Sequence, residues 1–363
     1  MFSLIRLGLH DLVRRWQTAL PMSLVVAVSL MAYLTLQGYQ AGLATGYGQV
    51  AQPWLIVQQS NMLGEFSDSR VAATAVNDLF ALGVSQAIPQ IHAVAGSSVQ
   101  DAVVLRGVDL GQYQQIEPFT LVAGRALQEG DPPRLALVGY RLAQAKGVAP
   151  GETVSLRGRD FTVVGLFRVG SYADNEAWIA LTDAQTLLGW ENEVSLFVIP
   201  DEGILHEGVE IAGGLVVARK GAAAEILARQ WQPLFNLLSV CALALGVAAA
   251  LTLTNLLWRL AWMRRRNLAI LRAVGFGQPA LTVYLLAQAG CITAVGLLLA
   301  FSGVAGLTSA LSINNTGQYL PWILNGDVLS NILALSLLIT FFGAAVPAWQ
   351  LSRLNLALLL REE

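Results

Sequence analysis

Four long apolar stretches without a charged side chain constrain this chain more than any other feature of its sequence. They occupy residues 18–36, 234–258, 279–307 and 328–351. An α-helix of about 20 apolar residues crosses the hydrocarbon core of a bilayer. Charged residues make up only 13% of the chain, against about 25% in an average soluble domain. The sequence therefore predicts a membrane α-helical protein with four transmembrane helices.

Basic residues lie on one side of these helices. Ten of the 22 lysines and arginines fall outside residues 41–232, all of them near the same ends of the apolar stretches: Arg6, Arg14, Arg15, Arg259, Arg264, Arg265, Arg266, Arg272, Arg353 and Arg361. Because short loops rich in Lys and Arg stay in the cytoplasm, both termini and the loop at 259–278 are predicted to be cytoplasmic. Residues 41–232 hold 12 basic and 20 acidic side chains, a net charge of 12 − 20 = −8, and are predicted to lie outside.

A cleaved signal peptide over residues 1–44 is the alternative for the first apolar stretch, since small residues surround Ala41 and Ala44. A retained first helix gives four spans, however, and returns the C-terminus to the arginine-rich side. We therefore predict four transmembrane helices, at 18–40, 233–260, 279–307 and 328–351. A cytoplasmic amphipathic helix at 1–17, a cytoplasmic helix at 261–278 and a cytoplasmic tail at 352–363 are predicted on the arginine-rich side. A large domain at 41–232 and a loop at 308–327 are predicted on the other side, outside the cytoplasm.

Residues 41–232 alternate between strand and helix patterns, which predicts a mixed α+β domain inserted between helices 1 and 2. Strands are predicted at 54–59, 101–108, 134–139, 177–181, 194–199 and 213–219, and helices at 71–82, 140–147 and 182–188. Residues 151–167 predict a hairpin around the turn that begins at Arg157 and Gly158. A further helix that starts near Ala222 is predicted to run into the second span.

The sequence has none of the motifs that would give this chain a catalytic, metal or nucleotide site. G-x-x-x-x-G-K-[ST], G-x-S-x-G, H-E-x-x-H and C-x-x-C are all absent, so the chain is predicted to bind no ATP itself and to be no enzyme. His10, His92 and His206 are scattered and are predicted to be surface residues, and the carboxylates of residues 41–232 are predicted to form a solvated acidic surface. No apolar stretch contains an Asp, Glu, Lys or Arg, which argues against an ion-coupled carrier.

The most informative segment is WMRRRNLAILRAVGFGQPA, residues 262–280, between the second and third spans. Leu268 and Leu271 share one helical face, Arg272 projects elsewhere, and Gly275 supplies a helix stop. A plain positively charged loop would explain the arginines but not an amphipathic helix that ends at a glycine. The segment resembles the coupling helix of permease subunits of the FtsX/MacB class of ABC transporters, which reads approximately E-R-R-x-E-I-G-x-L-R-A-[IVL]-G.

This resemblance extends over nearly the whole chain. Residues 7–28, 124–167, 177–189 and 346–363 resemble, in order, the N-terminal helix with the first span, two parts of the extracytoplasmic domain, and the C-terminal exit. The resemblance assigns ATPase coupling to nine residues: Arg264, Arg265, Arg266, Asn267, Leu268, Leu271, Arg272, Ala273 and Gly275. Asn267 stands where the family commonly has Glu, which removes the basis for a specific salt bridge to the nucleotide-binding subunit. Ala269 stands where the family commonly has Gly.

The resemblance implies a permease half-transporter of the bacterial inner membrane, which is multi-pass and contacts membrane lipids but no nucleic acid. It implies a dimer, with a second copy or a related permease, and two copies of a P-loop ATPase that binds the ATP and Mg²⁺. ATP hydrolysis would move the periplasmic domain, an activity called mechanotransmission. Export or efflux with a periplasmic adaptor or membrane-fusion protein is favoured, followed by lipoprotein extraction and then by activation of a cell-wall hydrolase.

A membrane-anchored sensor or scaffold without an ATPase is the alternative from another class of protein. It requires a cytoplasmic output module, whereas the longest predicted cytoplasmic segment has about 20 residues. The sequence therefore favours the permease.

Overall fold

The computed structural model describes most of the chain. The described residues are 10, 12, 14, 16–48, 54–60, 62, 69–96, 102–265, 268, 270, 275–310, 314–315 and 318–352. The chain divides into two compact units. The helical unit comprises residues 1–41, 233–311 and 322–363, and the inserted domain comprises residues 42–232 and 312–321.

Eight α-helices are bounded within the described residues. They are α1 (Trp16–Gly48), α2 (Ala75–Ala81), α3 (Tyr113–Ile116), α4 (Tyr140–Lys146), α5 (Leu181–Leu188), α6 (Ala222–Met263), α7 (Gln278–Ala310) and α8 (Gly326–Ser352). Helices α1, α6, α7 and α8 are long and apolar enough to cross a membrane, with mean hydropathies between 2.0 and 2.3. This confirms the predicted membrane α-helical class with four transmembrane helices.

Aliphatic side chains from the four long helices form one core in the helical unit. Helix α1 contributes Val26, Leu30 and Leu34, which lie on one face because they are spaced four residues apart. Other faces expose large apolar side chains, such as Leu298 at 69% and Leu337 at 70% exposure. Lipid tails are as apolar as leucine, so these exposed faces are suited to a bilayer rather than to water.

Residues that lead into α8 pack closely against α1 at a glycine. The indole Nε1 of Trp322 donates to the carbonyl of Leu34 at 3.3 Å, and the backbone N–H of Ile323 donates to the carbonyl of Gly38 at 3.0 Å. A Cβ at Gly38 would overlap the Trp322 indole. Small residues in apolar helices commonly admit a second helix, but here the glycine admits a neighbouring segment of the same chain.

Fifteen β-strands lie in the described part of the inserted domain. They are β1 (Trp54–Gln59), β2 (Val71–Ala72), β3 (Ile88–Ala95), β4 (Val103–Val108), β5 (Thr120–Gly124), β6 (Leu135–Gly139), β7 (Thr153–Leu156), β8 (Arg159–Arg168), β9 (Glu176–Ala180), β10 (Glu193–Val194), β11 (Leu196–Pro200), β12 (Glu210–Ile211), β13 (Leu215–Arg219), β14 (Asn314–Asn315) and β15 (Gln318–Tyr319).

Eleven of these strands form one mixed sheet in the order β12-β13-β1-β11-β3-β4-β9-β6-β8-β5, with β7 also paired to β8. The pairs β4–β9 and β6–β8 are parallel, and the other pairs of this sheet are antiparallel. We call strands β5 to β9, residues 120–180, the second lobe, and the remaining strands of the sheet the first lobe. The two lobes therefore join in the sheet along the β4–β9 pair.

The structure confirms most of the predicted elements of this domain. Strand β1 has the predicted bounds, α4 ends at Gly147 in the left-handed conformation, and α6 begins at Ala222 and continues into the second span. Arg157 and Gly158 both have positive φ, at 48° and 75°, as a tight hairpin turn with right-handed twist requires. The predicted mixed α+β class is therefore confirmed.

One predicted helix had the wrong bounds, and two of the longer strands were not predicted. Residues 71–82 were predicted as one helix, but Val71 and Ala72 pair with β10 as a short strand, and the helix begins only at Ala75. Strands β3 and β5 were missed, because Pro89 interrupts the strand pattern of β3 and β5 is an exposed edge strand without a buried face.

The inserted domain offers a direct test of close packing at Gly42, where a Cβ would overlap the carbonyl oxygen of Pro321. We expect Gly42→Ala to lower the free energy of unfolding by about 1–3 kcal/mol, because a backbone oxygen moves only if the whole segment moves. Thermal unfolding of the purified full chain in detergent measures this. Gly306→Ala is the matched control, since no atom lies within 4 Å of its Cβ position. Equal melting temperatures for the two variants would contradict the packing.

Candidate functional site

The segment between α6 and α7 carries the residues predicted to couple to an ATPase. The structure describes four of the nine: Arg264, Arg265, Leu268 and Gly275. The other five lie outside the described residues, namely Arg266, Asn267, Leu271, Arg272 and Ala273. Their assignment remains a prediction.

Leu268 is buried, with 5% of its surface exposed, and belongs to the core of the helical unit. Its backbone N–H donates to the carbonyl of Arg264 at 3.0 Å, and the Arg264 N–H donates to the carbonyl of Ala261 at 3.1 Å. These two hydrogen bonds link Leu268 to the end of α6 through Arg264. Arg264 and Leu268 also line a small cavity of about 20 Å³. It lies between α1, α6 and α7, at the helix ends that are predicted to face the cytoplasm. Leu268 thus fixes the segment on its own bundle.

Arg265 lies against the bundle surface. Its guanidinium carbon is 4.9 Å from the ring centroid of Trp262, a cation–π distance, and Trp262 packs against Trp258 with ring centroids 5.6 Å apart. Trp262 is 44% exposed. Exposed tryptophans beside arginine are typical of the boundary between lipid and water. This pair therefore gives the end of α6 an interfacial anchor.

Ile270 and Gly275 have the opposite character. Ile270 is 49% exposed, although it stands only two residues after the buried Leu268. Gly275 has a φ of 104°, a conformation that L side chains rarely adopt, and no atom lies within 4 Å of its Cβ position. The glycine therefore ends the segment through its backbone conformation, and Ile270 is the apolar side chain that the described part of the segment leaves accessible.

A second group of functional candidates lies inside the inserted domain, where four charged side chains are buried together. Arg106 on β4 donates from Nη1 to Glu117 Oε2 at 2.7 Å. It also forms a two-pronged contact with Glu176 on β9, through Nη2–Oε1 at 2.9 Å and Nε–Oε2 at 2.7 Å. Lys220 donates from Nζ to Glu117 Oε2 at 3.0 Å. The Trp178 indole N–H donates to Glu176 Oε2 at 2.7 Å. We call Lys220, Glu117, Arg106 and Glu176 the ion chain.

The charges of the ion chain balance, with two cations and two anions, each at most 3% exposed. Burial by itself raises the pKa of Glu117, but the nearby charges of Lys220 and Arg106 and their hydrogen bonds outweigh it and hold the pKa at about 2. Glu117 is therefore ionised at neutral pH despite its burial. The paired charges compensate for the loss of water around each other.

The buried ion chain corrects the prediction that the carboxylates of residues 41–232 form a solvated surface. Glu117, Glu176 and Asp174 are buried, and Asp174 accepts hydrogen bonds from the backbone N–H groups of Val169 and Gly170. One signal could have revealed Arg106: it is the charged residue in VVLRGV, a strand that is otherwise wholly apolar. Glu117 and Lys220 lie in short connections between elements, where sequence gives no such signal.

His92 also departs from the prediction. It is buried on β3, and its ring Nε2 lies 3.0 Å from Gln90 Oε1. His10 and His206 are exposed, as predicted. No group of three His, Cys, Asp or Glu side chains in the described ranges is placed to hold a metal ion.

Comparison with known proteins gave two family matches. Residues 18–234 match the MacB-like periplasmic core domain, and residues 238–356 match the FtsX-like permease C-terminal region. The crystal structure of the periplasmic region of MacB from Actinobacillus actinomycetemcomitans is similar at 12% identity, covers 52% of this chain and 97% of that chain, and has a TM-score of 0.34. The crystal structure of a domain of a proposed permease protein from Porphyromonas gingivalis is similar at 14% identity. The match covers 43% of this chain and 73% of that chain, with a TM-score of 0.27. No curated protein gave a significant match.

The low pKa of Glu117 predicts how the stability of the chain depends on pH. Because the folded-state pKa lies near 2 and the ordinary value is 4.5, the ionised carboxylate stabilises the fold above pH 4.5, and this contribution is lost as the pH falls toward 2. The shift corresponds to about 3 kcal/mol. We expect Glu117→Gln to unfold more readily than the wild type at pH 7, with the gap narrowing below pH 4.5 in denaturant titrations followed by tryptophan fluorescence. A gap that is constant from pH 7 to pH 3 would contradict the assignment.

Proposed function

Because this chain belongs to the family of ABC-type permeases that combine a MacB-like periplasmic core domain with an FtsX-like permease C-terminal region, we propose that it converts ATP hydrolysis by a separate ATPase into movement of its inserted domain. Permeases of this family are generally non-catalytic transmembrane subunits. The chain is placed by this proposal in a bacterial inner membrane, with both termini in the cytoplasm and the inserted domain in the periplasm. ATP and Mg²⁺ are held by the partner.

The length of α6 is the observation that carries this proposal. Its 42 residues run from Ala222, just after β13, to Met263, one residue before Arg264, with Pro233 inside the helix. At 1.5 Å per residue the helix is about 63 Å long, about twice the hydrocarbon thickness of a bilayer. One helix therefore links the predicted coupling segment to the inserted domain, as mechanotransmission requires.

The buried polar side chains of the helical unit support a mechanical role over ion-coupled transport. Among the described residues they are Ser23, Ser29, Gln288, Thr293 and Ser336, all uncharged. Proton and ion pathways through membranes usually need ionisable groups at such positions. The helical unit is therefore suited to moving as a body of packed helices.

We propose a complex of two permease subunits, identical or related, with two copies of a P-loop ATPase. Export or efflux through a periplasmic adaptor or membrane-fusion protein is our first choice of task. Lipoprotein extraction and activation of a cell-wall hydrolase use the same mechanism and follow in that order. A sensor or scaffold without an ATPase is the alternative that the coupling experiment below tests.

Within the coupling segment we assign the apolar contact with the ATPase to Ile270. We expect Ile270→Ala to leave abundance and folding unchanged while weakening ATPase association by about tenfold or more, as truncation of an apolar anchor in a helix-in-groove interface does. Affinity of the purified permease for its ATPase in detergent or nanodiscs measures this.

Leu268→Ala is the matched control, since Leu268 has a similar volume but faces the bundle. It is expected to lower the melting temperature of the permease and to affect association less. The pair Arg272→Glu and Arg264→Glu adds a test from the sequence, in which only Arg272→Glu should uncouple the complex. Wild-type association and ATPase stimulation in both Ile270→Ala and Arg272→Glu would show that the segment only fixes topology.

The proposed topology is tested with single cysteines in a chain whose Cys241 and Cys291 are replaced by Ala. Impermeant thiol reagents should label Glu210→Cys and Asp327→Cys in cells with a permeabilised outer membrane, but not Met263→Cys, because the arginine-rich loops stay in the cytoplasm. All three positions are exposed in the structure. Labelling of Met263→Cys in cells with an intact inner membrane would overturn the proposed orientation.

A further inference from the structure

We propose that the ion chain makes the second lobe of the inserted domain follow the base of α6, so that Lys220, Glu117, Arg106 and Glu176 are positioning residues for the movement that the permease produces. This inference rests on the proposed function, since it needs α6 to move. It adds which part of the inserted domain moves with that helix and through which side chains.

Lys220 stands at the junction that a moving α6 would displace first. It lies between β13, which ends at Arg219, and α6, which begins at Ala222. Its backbone N–H donates to the carbonyl of Trp54 at 3.1 Å, which ties the junction to β1. Its side chain is fully buried and reaches Glu117. The start of α6 is therefore fixed to the interior of the domain by a charge.

Glu117 lies on the connection into the second lobe, one residue beyond α3 and three residues before β5. Its Oε2 accepts hydrogen bonds from both Lys220 and Arg106. Arg106 is on the last strand of the first lobe and Glu176 on the facing strand of the second lobe, and the two strands pair in parallel from Val104–Glu176 to Val108–Ala180. The ion chain thus runs from the helix base, across the entry to the second lobe, to the seam of the lobes.

Ion pairs suit this connection better than apolar packing does. Apolar surfaces tolerate sliding, since their attraction is non-directional. A guanidinium that binds a carboxylate through two N–H groups has one favourable geometry. Displacing a member would break an ion pair in the protein interior, where water does not replace the lost contact, which is unfavourable. The helix base and the second lobe therefore move together or separate only at high cost.

The competing explanation is that the ion chain only helps the domain to fold. Both explanations predict lower stability when one charge is removed, so stability alone does not separate them. The variant Lys220→Met/Glu117→Gln does separate them. It removes one cation and one anion, keeps the net charge of the cluster at zero, and retains the two-pronged contact of Arg106 with Glu176 at the lobe seam.

The experiment uses the full chain with its ATPase in nanodiscs, with spin labels on cysteines in the background that lacks Cys241 and Cys291. A label pair at Arg159 and Gln230, both exposed, reports the distance between the second lobe and α6. Labels at Gln230 in the two permease copies report movement of α6. Distances between the labels are measured by pulsed electron–electron double resonance in the nucleotide-free and ATP-bound complexes.

In the wild type we expect ATP to shift the distance between the two Gln230 labels while the Arg159–Gln230 distance stays constant. In Lys220→Met/Glu117→Gln the first shift should persist, and the Arg159–Gln230 distance should now shift or broaden with ATP. Arg219→Gln is the matched control, because Arg219 is an exposed neighbour whose ion pairs, with Glu225 and Glu207, lie outside the ion chain. It should behave as the wild type.

Two results would overturn the inference in different ways. A constant Arg159–Gln230 distance in the folded double variant, with the Gln230 shift intact, would refute the ion chain alone. No Gln230 shift in the wild type would refute the proposed function and with it the inference. If the double variant fails to fold, the single variant Lys220→Gln replaces it, since Glu117 keeps its contact with Arg106. Lys220→Arg keeps the positive charge and should give the wild-type distances.

Discussion

A peptide group inside a bilayer has no water to bond, and this constraint shapes most of the chain. Each N–H and C=O within the lipid must be satisfied by its own segment, so the four apolar stretches fold as helices rather than as an open sheet. Residues 320–325, in the loop predicted between the third and fourth spans, have neither helix nor strand structure. There the backbone N–H of Ile323 and the indole N–H of Trp322 donate to carbonyls of α1.

The inserted domain has a different problem, because it must be stable without a disulfide. A large mixed sheet supplies the core, with aromatic rings on one side of the lobe seam: Phe167 and Trp178 have ring centroids 4.0 Å apart. The same Trp178 donates to Glu176, so apolar packing and the ion chain share a residue. Packing around the charges excludes water and keeps the ion pairs strong.

The sequence predicted what depends on periodic patterns and failed where the structure depends on contacts between distant residues. Four apolar stretches of sufficient length fixed the helices, and Gly147 and the Arg157–Gly158 turn fixed local ends. Sequence could not pair Glu117 with Lys220, because 103 residues separate them. Likewise, the 3.6-residue period placed Leu268 and Leu271 on one face, but only the fold shows that Leu268 faces the bundle and Ile270 faces out. The periodicity of apolar residues shows which side chains share a face of a helix, but only the tertiary structure shows which face is exposed.

The two units place their buried charges differently, and the mechanism proposed for this permease gives a reason. In the described part of the helical unit the buried polar side chains are neutral, so under the proposed mechanism its helices would transmit movement through backbone stiffness and close packing. The inserted domain instead joins two lobes that share one strand pair, and there the ion chain would supply a directional contact against sliding. At 0.1 M salt, interactions between exposed charges more than about 10 Å apart are largely screened, whereas buried ion pairs are screened far less. Because each member of the ion chain is at most 3% exposed, this contact would keep its strength when the ionic strength around the inserted domain changes, whereas a surface contact between the same elements would weaken.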